Sequence, residues 1–181
     1  MRTNKYKEII TSALIIFSTS INANTQTTIN KNWVLESTVD PMNDQYSLVA
    51  YTISKKRSER MVVRCTSKET IDIYINWGTY ITKSDTHDLE LRFDKHESNH
   101  YLTNPSNDGK SQFINQWFNS YSSLVEKLKS SYVLMAKVIP YGGNALYANF
   151  SLAGASESIN SVINKCGRLP VQKHDYWRYK S

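Results

Sequence analysis

Five consecutive residues, His96-Glu97-Ser98-Asn99-His100, match H-E-x-x-H, the spacing used for zinc-dependent hydrolysis. That chemistry needs a helix. Only there do imidazoles at i and i+4 share a face and bind one Zn²⁺ while the intervening carboxylate acts as general base. A third ligand and an open position for water are also required. His87 and His174 are the other histidines of the chain, and nothing singles out either. The surroundings predict a turn instead. A strand-like alternation runs up to Asp94, and the turn-rich stretch around Pro105 follows at once. Ser98, Asn99 and His100 are middling or poor helix formers. In a strand or hairpin the two imidazoles could still share a face, but they would stand roughly 13 Å apart, too far for one ion. His96 and His100 are therefore read as decoys, and no metal, cofactor or catalytic residue is expected.

The second chemical feature is the pair Cys65 and Cys166. Neither belongs to a C-x-x-C pair, so redox and zinc-ribbon readings have no support. In an exported protein an even count points to a disulfide, and this one would close a loop of about a hundred residues, worth roughly 4–5 kcal/mol in the chain-entropy picture. The alternative is two buried free thiols acting as small hydrophobes. There is no G-x-S-x-G elbow and no Gly-rich phosphate loop. Asp94 and Glu97 are available as a carboxylate pair, but acids on a sheet rim are commoner, and Arg92 and Asp94 are expected to pair with neighbouring strands. Tyr176, Trp177, Arg178 and Tyr179 form an aromatic-basic cluster near the C-terminus. It reads either as an arm covering a core edge or as a docking segment for an envelope partner.

The N-terminus supplies the export argument. Arg2, Lys5 and Lys7 precede an apolar run from Ile9 to Ile21 and a small-residue site ending at Ala23. This tripartite pattern predicts a signal peptide over 1–23; the run is too short to span a bilayer stably, so no stable membrane insertion is expected once it is cleaved. The 181-residue chain carries a net charge of +6, and loss of 1–23 would leave 19 basic against 15 acidic residues, or +4. The one basic cluster inside the domain, 55–60, reads as a solvated hairpin tip, and no nucleic-acid partner is expected. An aromatic content of 12%, with only 6 Gly and 4 Pro, argues against disorder, and the length suits one core.

The elements that would position these residues follow from periodicity. Residues 24–32 are polar and read as a loose lead-in. Order begins at Trp33-Val34-Leu35, and Pro41, Asn43 and Asp44 mark a turn. Strands are expected over 45–54, 61–67, 69–78 and 87–94, the last two alternating cleanly through Ile71, Ile73, Ile75 and Leu89, Leu91, Phe93. The segment 103–112 reads as turn. Trp117, Tyr121, Leu124, Val125 and Leu128 form one helical stripe; Ala155, Ile159, Val162, Ile163 and Cys166 form another, with Gly167 placed as its cap. Between them, 132–143 and 144–154 read as a hairpin joined at Gly-Gly-Asn. The expectation is one α+β domain over 33–167, a mostly antiparallel sheet with two amphipathic helices packed on it, followed by a basic aromatic tail over 168–181.

The order of these pieces resembles the exported type VI secretion accessory proteins of the VasI/TagO kind and their phage-borne relatives. The resemblance is carried by Trp33-Val34-Leu35, Ser37-Thr38-Val39-Asp40, Val63-Arg64-Cys65, Ile73-Tyr74-Ile75-Asn76-Trp77-Gly78, Arg92-Phe93-Asp94, Phe150-Ser151-Leu152-Ala153-Gly154 and the helix ending in Cys166. Each motif is loose; their order and spacing over 33–166 carry the weight. The resemblance implies a periplasmic accessory or adaptor protein, without an established active site, whose partner is an envelope or secretion-apparatus protein. The H-E-x-x-H is no part of that pattern. The rivals are a zinc-dependent hydrolase using His96, Glu97 and His100, and a phage-derived envelope immunity factor that differs only in its partner.

Overall fold

The computed structural model describes residues 24–55, 58–66, 70–84, 86–115 and 121–166. The segment 1–23 read as a signal peptide, Lys56 and Arg57, Trp117, Gly167 and the tail cluster Tyr176 to Tyr179 lie outside the described residues.

Alternation of apolar and polar side chains makes the strands. In β5 (Ile71–Asn76) Ile71, Ile73 and Ile75 are buried, while Asp72, Tyr74 and Asn76 are half-exposed. The same rule builds β3 (Tyr46–Ile53), β4 (Arg60–Thr66), β6 (His87–Phe93), β9 (Val133–Val138) and β10 (Leu146–Ser151). With β1 (Asn24–Asn30), β2 (Trp33–Val39), β7 (Asn99–Pro105) and β8 (Ser111–Ile114) they form one ten-stranded antiparallel sheet in the order β1-β2-β3-β4-β5-β8-β7-β6-β9-β10. β1 to β5 run as a meander. The chain then crosses to β6, and β6, β7 and β8 return so that β8 closes onto β5. The crossing is held by Ile81 N–H donating to the Gly109 carbonyl at 2.8 Å and Tyr141 N–H to the Ile81 carbonyl at 2.9 Å.

Helices α1 (Tyr121–Ser130) and α2 (Ala155–Cys166) cover the inner face of the sheet. Tyr121, Leu124, Val125 and Leu128 of α1 and Ala155, Ile159, Val162 and Cys166 of α2 are buried, the helical stripes read from the sequence. They pack with Trp33, Met61, Ile73, Leu91, Leu134 and Phe150 in one core. Cys166 ends the stripe of α2, and Cys65 faces inward on β4. The two form a disulfide with Cα atoms 5.8 Å apart, closing a sequence separation of 101. The Lys165 ammonium beside it stands 4.9 Å from the centroid of the Tyr46 ring on β3.

The sheet is open, yet it curls until its last strand meets the turn between its first two. The Trp33 indole N–H donates to the Ser151 carbonyl at 3.1 Å, and Asn32 N–H to the Ala153 carbonyl at 3.1 Å. Asn30 Nδ2 donates to Ser158 Oγ at 2.9 Å. Gly154, with φ +94°, lies against Asn30, and a Cβ there would collide with the Asn30 carbonyl.

Three expectations need correction. Residues 24–30 form β1 rather than a loose lead-in: a two-residue connection at Lys31–Asn32 turns the chain back, and all seven residues pair with β2. β1 gains ladder hydrogen bonds without burying side chains, so it leaves no hydrophobic period. The stretch 103–112 is turn only over 106–110; β7 and β8 flank it, because pairing with β6 and β5 outweighs weak local strand preference. The hairpin of β9 and β10 takes its positive-φ position from Gly142, as read from Gly-Gly-Asn, but the bend lies two residues earlier. Its bend is Pro140 to Gly143, closed by Gly143 N–H donating to the Pro140 carbonyl at 3.1 Å, with Gly142 at φ +67°. The predicted first helix agrees with α1 from Tyr121 onward, and its Trp117 end lies outside the described residues.

Replacing Cys166 with Ala is expected to lower unfolding stability by about 4 kcal/mol, measured by urea titration of the oxidised protein against the variant. An unchanged midpoint would show that the link constrains nothing.

Candidate binding face

The outward side of β3, β4, β5 and β8 carries an ordered row of large side chains. The registers align Tyr51 with Val62, Val62 with Tyr74, and Tyr74 with Phe113. Tyr74 and Phe113 stack with ring centroids 4.5 Å apart. Val62 points outward but is only 3% exposed, so its neighbours lie flat across the sheet. Arginines flank the row on both sides. The Arg60 guanidinium stands 5.2 Å from the Tyr51 ring; that of Arg64 stands 5.4 Å from Tyr74 and 5.7 Å from Phe113. Asp72, opposite Arg64 on the neighbouring strand, holds that guanidinium through Nε at 3.2 Å and through a second nitrogen. The Tyr51 hydroxyl donates to Glu36 Oε1 at 2.8 Å. Burial raises the pKa of Tyr51, reinforced by Glu36; burial also raises that of Tyr74, opposed by Arg64. Both phenols therefore stay protonated.

A groove of about 180 Å³ runs along this face between Glu36, Tyr51, Arg60, Val62 and Tyr74. Beyond Phe113 the face opens into a larger cleft of about 490 Å³, lined by Thr70, Asp72, Asn104, Phe113, Asn115 and Tyr121 among others. This cleft exists because β5 and β8 pair only over Tyr74–Asn76 and then part. Tyr121, at the start of α1, bridges the split. Its hydroxyl accepts from Ile73 N–H at 3.4 Å and donates to the Ile114 carbonyl at 2.8 Å. Burial pushes its pKa up to about 12, against a hydrogen bond from Ile73 that lowers it. Stacked rings, fixed guanidinium planes and amide side chains are groups that bind another surface.

The H-E-x-x-H residues are not on a helix. Pairing of Leu91 with Asn99 and Glu90 with His100 makes them the end of a β6–β7 hairpin. His96 and Glu97 line a cleft beside α1 with Phe93, Asn99, Lys127, Ser130 and Ser131. His100 lies on the opposite face of the sheet, where its Nδ1 is 2.7 Å from Asp88 Oδ2. The hairpin does not leave the two imidazoles on one face, because the turn after Phe93 adds residues that swing His96 away. His87 Nε2 is 2.8 Å from the Ile139 carbonyl. Among the described residues, no group of three His, Cys, Asp or Glu side chains is arranged to hold a metal ion. Asp94, at φ 50°, accepts from the Tyr132 and Val133 amides at 3.0 and 2.9 Å and so anchors the start of β9. His174 and the tail cluster lie outside the described residues.

Sequence reasoning singled out none of Tyr51, Tyr74 and Phe113. The available signal was the outward parity of amphipathic strands: Tyr51, Val62 and Tyr74 are large at positions where solvated polar residues are ordinary. Phe113 was hidden just beyond a segment that reads as turn.

The chain matches no protein-family model and no curated protein. Its fold is similar to that of invasion associated protein B from Bartonella henselae, seen in a crystal structure. The TM-score is 0.52 at 14% sequence identity, over 79% of this chain and 99% of that one. At that identity the likeness is one of fold alone. No helix among the described residues is long and apolar enough to cross a membrane.

Tyr121→Phe strands the Ile73 amide and the Ile114 carbonyl and should cost about 1–3 kcal/mol in urea unfolding. Because the folded pKa lies above the ordinary 10.0, the wild-type phenol contributes stability that is complete below pH 10 and is lost as the pH climbs through about 12; the Phe variant should lack that loss. The hydrogen bond to Asp88 raises the pKa of His100, so Asp88→Asn should return it towards 6.5 in an NMR titration. A His100 pKa unmoved by that change would detach it from Asp88.

Proposed function

We propose that the chain is a periplasmic, non-enzymatic accessory or adaptor protein that works by protein–protein contact in type VI secretion. The observation that carries this reading is the ordered, outward aromatic–arginine row Tyr51–Val62–Tyr74–Phe113 with Arg60 and Arg64. Tyr, Phe and Arg are enriched where proteins meet, and the buried stripes of both helices lie in the core on the other side of the sheet. Export is supported by the tripartite N-terminal pattern together with the Cys65–Cys166 disulfide, a bond that persists in oxidising compartments. The secretion role is supported by the order of motifs over 33–166 that resembles VasI/TagO proteins. The tail residues Tyr176, Trp177, Arg178 and Tyr179 are proposed as additional contacts.

Photo-crosslinking in the periplasm tests the reading. A benzophenone side chain at Tyr74 should trap an envelope or secretion-apparatus protein, identified by mass spectrometry, and Arg64→Ala should reduce the yield several-fold. The same probe at Tyr147, outward on β10, serves as the control. A partner outside the secretion apparatus would end the type VI assignment, and a phage product would favour an immunity factor. Equal trapping at both positions would dismiss the aromatic row as the contact face. Truncation after Gly167 with unchanged partner pull-down would reject the tail.

A further inference from the structure

β1 is an edge strand with an unusual exposure. Thr25, Gln26, Thr27, Thr28 and Ile29 are all exposed, Ile29 to 72%, and among the described residues no strand pairs with its outer edge. The curl of the sheet covers only its Asn30 end, where Gly154 and Ser158 approach, and leaves Thr25 to Ile29 outside the seam.

Hairpin geometry says which backbone groups are unspent. The two-residue connection closes on the Asn30–Trp33 pair, so Asn30, Thr28, Gln26 and Asn24 direct their amides and carbonyls to β2. Thr25, Thr27 and Ile29 turn theirs outward. A row of alternating donors and acceptors at strand spacing is complementary to another extended backbone and to little else. Natural edges are commonly guarded by a Lys, a Pro, a bulge or a covering element. β1, NTQTTIN, contains no charged residue and no Pro, and it is paired without a bulge from end to end.

We propose that β1 is a self-association edge, on which β1 of a second copy of this chain adds antiparallel about a two-fold axis at Thr27. Several features favour a second copy over a foreign strand. The edge is self-complementary: with the axis at Thr27, its amide and carbonyl exchange hydrogen bonds with those of its own copy, and Thr25 meets Ile29 in both directions. No like charges are brought together. The side-chain pairs, Thr with Thr and Thr with Ile, suit a sheet, and the most exposed apolar side chain of the strand, Ile29, gains a neighbour. This edge lies apart from the aromatic row on β3, β4, β5 and β8, so a dimer would leave that face open, and neither surface depends on the other.

The test is sedimentation of protein purified from the periplasm over a dilution series. The wild type should show a reversible monomer–dimer equilibrium. Thr27→Lys and Thr27→Glu, each placing like charges opposite each other at the axis, should each weaken dimerisation about fivefold or more while circular dichroism stays native. An equal mixture of the two variants should regain the dimer, because the charges become opposite. A wild type that is monomeric at every concentration overturns the proposal. So does a dimer indifferent to both variants, or a mixture that fails to recover; the last two would place the contact on another surface or assign the edge to a foreign strand.

Discussion

The disulfide between Cys65 and Cys166 is the constraint on which the rest of the molecule depends. It joins the inner face of β4 to the last turn of α2 and so holds α2 across the inner face of the first five strands. Ile159 and Val162 are buried because of that placement, and so are the inward side chains of β3, β4 and β5 beneath them. The opposite end of α2 is fixed by different means. Gly154 lets the chain pass against the Asn30 carbonyl, and Asn30 and Ser158 hydrogen-bond there. A helix tied covalently at one end and by close backbone contact at the other cannot slide, and the curl of the sheet is set between those two points.

Because the helices occupy one face, the other face is left as an ordered surface. Its aromatic row is held by cross-strand registry, with Arg64 clamped by Asp72 and Tyr51 by Glu36, so the rings and guanidinium planes are oriented before any partner arrives. Pre-orientation lowers the entropy lost on binding. The β1 edge offers a different kind of recognition. It presents backbone hydrogen bonds and almost no side-chain identity, which suits pairing with a copy of itself better than discrimination among partners. The two surfaces differ in what they present, one oriented side chains and the other backbone groups.

The H-E-x-x-H shows how context governs a motif. Its residues have the right types and sequence spacing, yet the hairpin places His96 beside α1 and His100 beside Asp88 on the far face. Spacing in sequence becomes spacing in space only through the element that carries it. The poor helix preference of Ser98, Asn99 and His100 was legible beforehand. The divergence of the two imidazoles was not, because the residues added by the turn after Phe93 set it.

The inner face of the molecule was legible in residue types alone. The alternation of Ile71, Ile73 and Ile75, the stripe from Ala155 to Cys166 and the paired cysteines each carry a burial signal in their own residue types, and burial is what builds a core. β1, the strand character of 99–105 and 111–114 and the outward row from Tyr51 to Phe113 emerged only when the fold was assembled. Those features rest on backbone ladder bonds and on registry between segments far apart in the chain. Any residue can supply a backbone amide, so such pairing leaves no mark in composition, and Tyr74 becomes the neighbour of Phe113 only once β8 has closed onto β5.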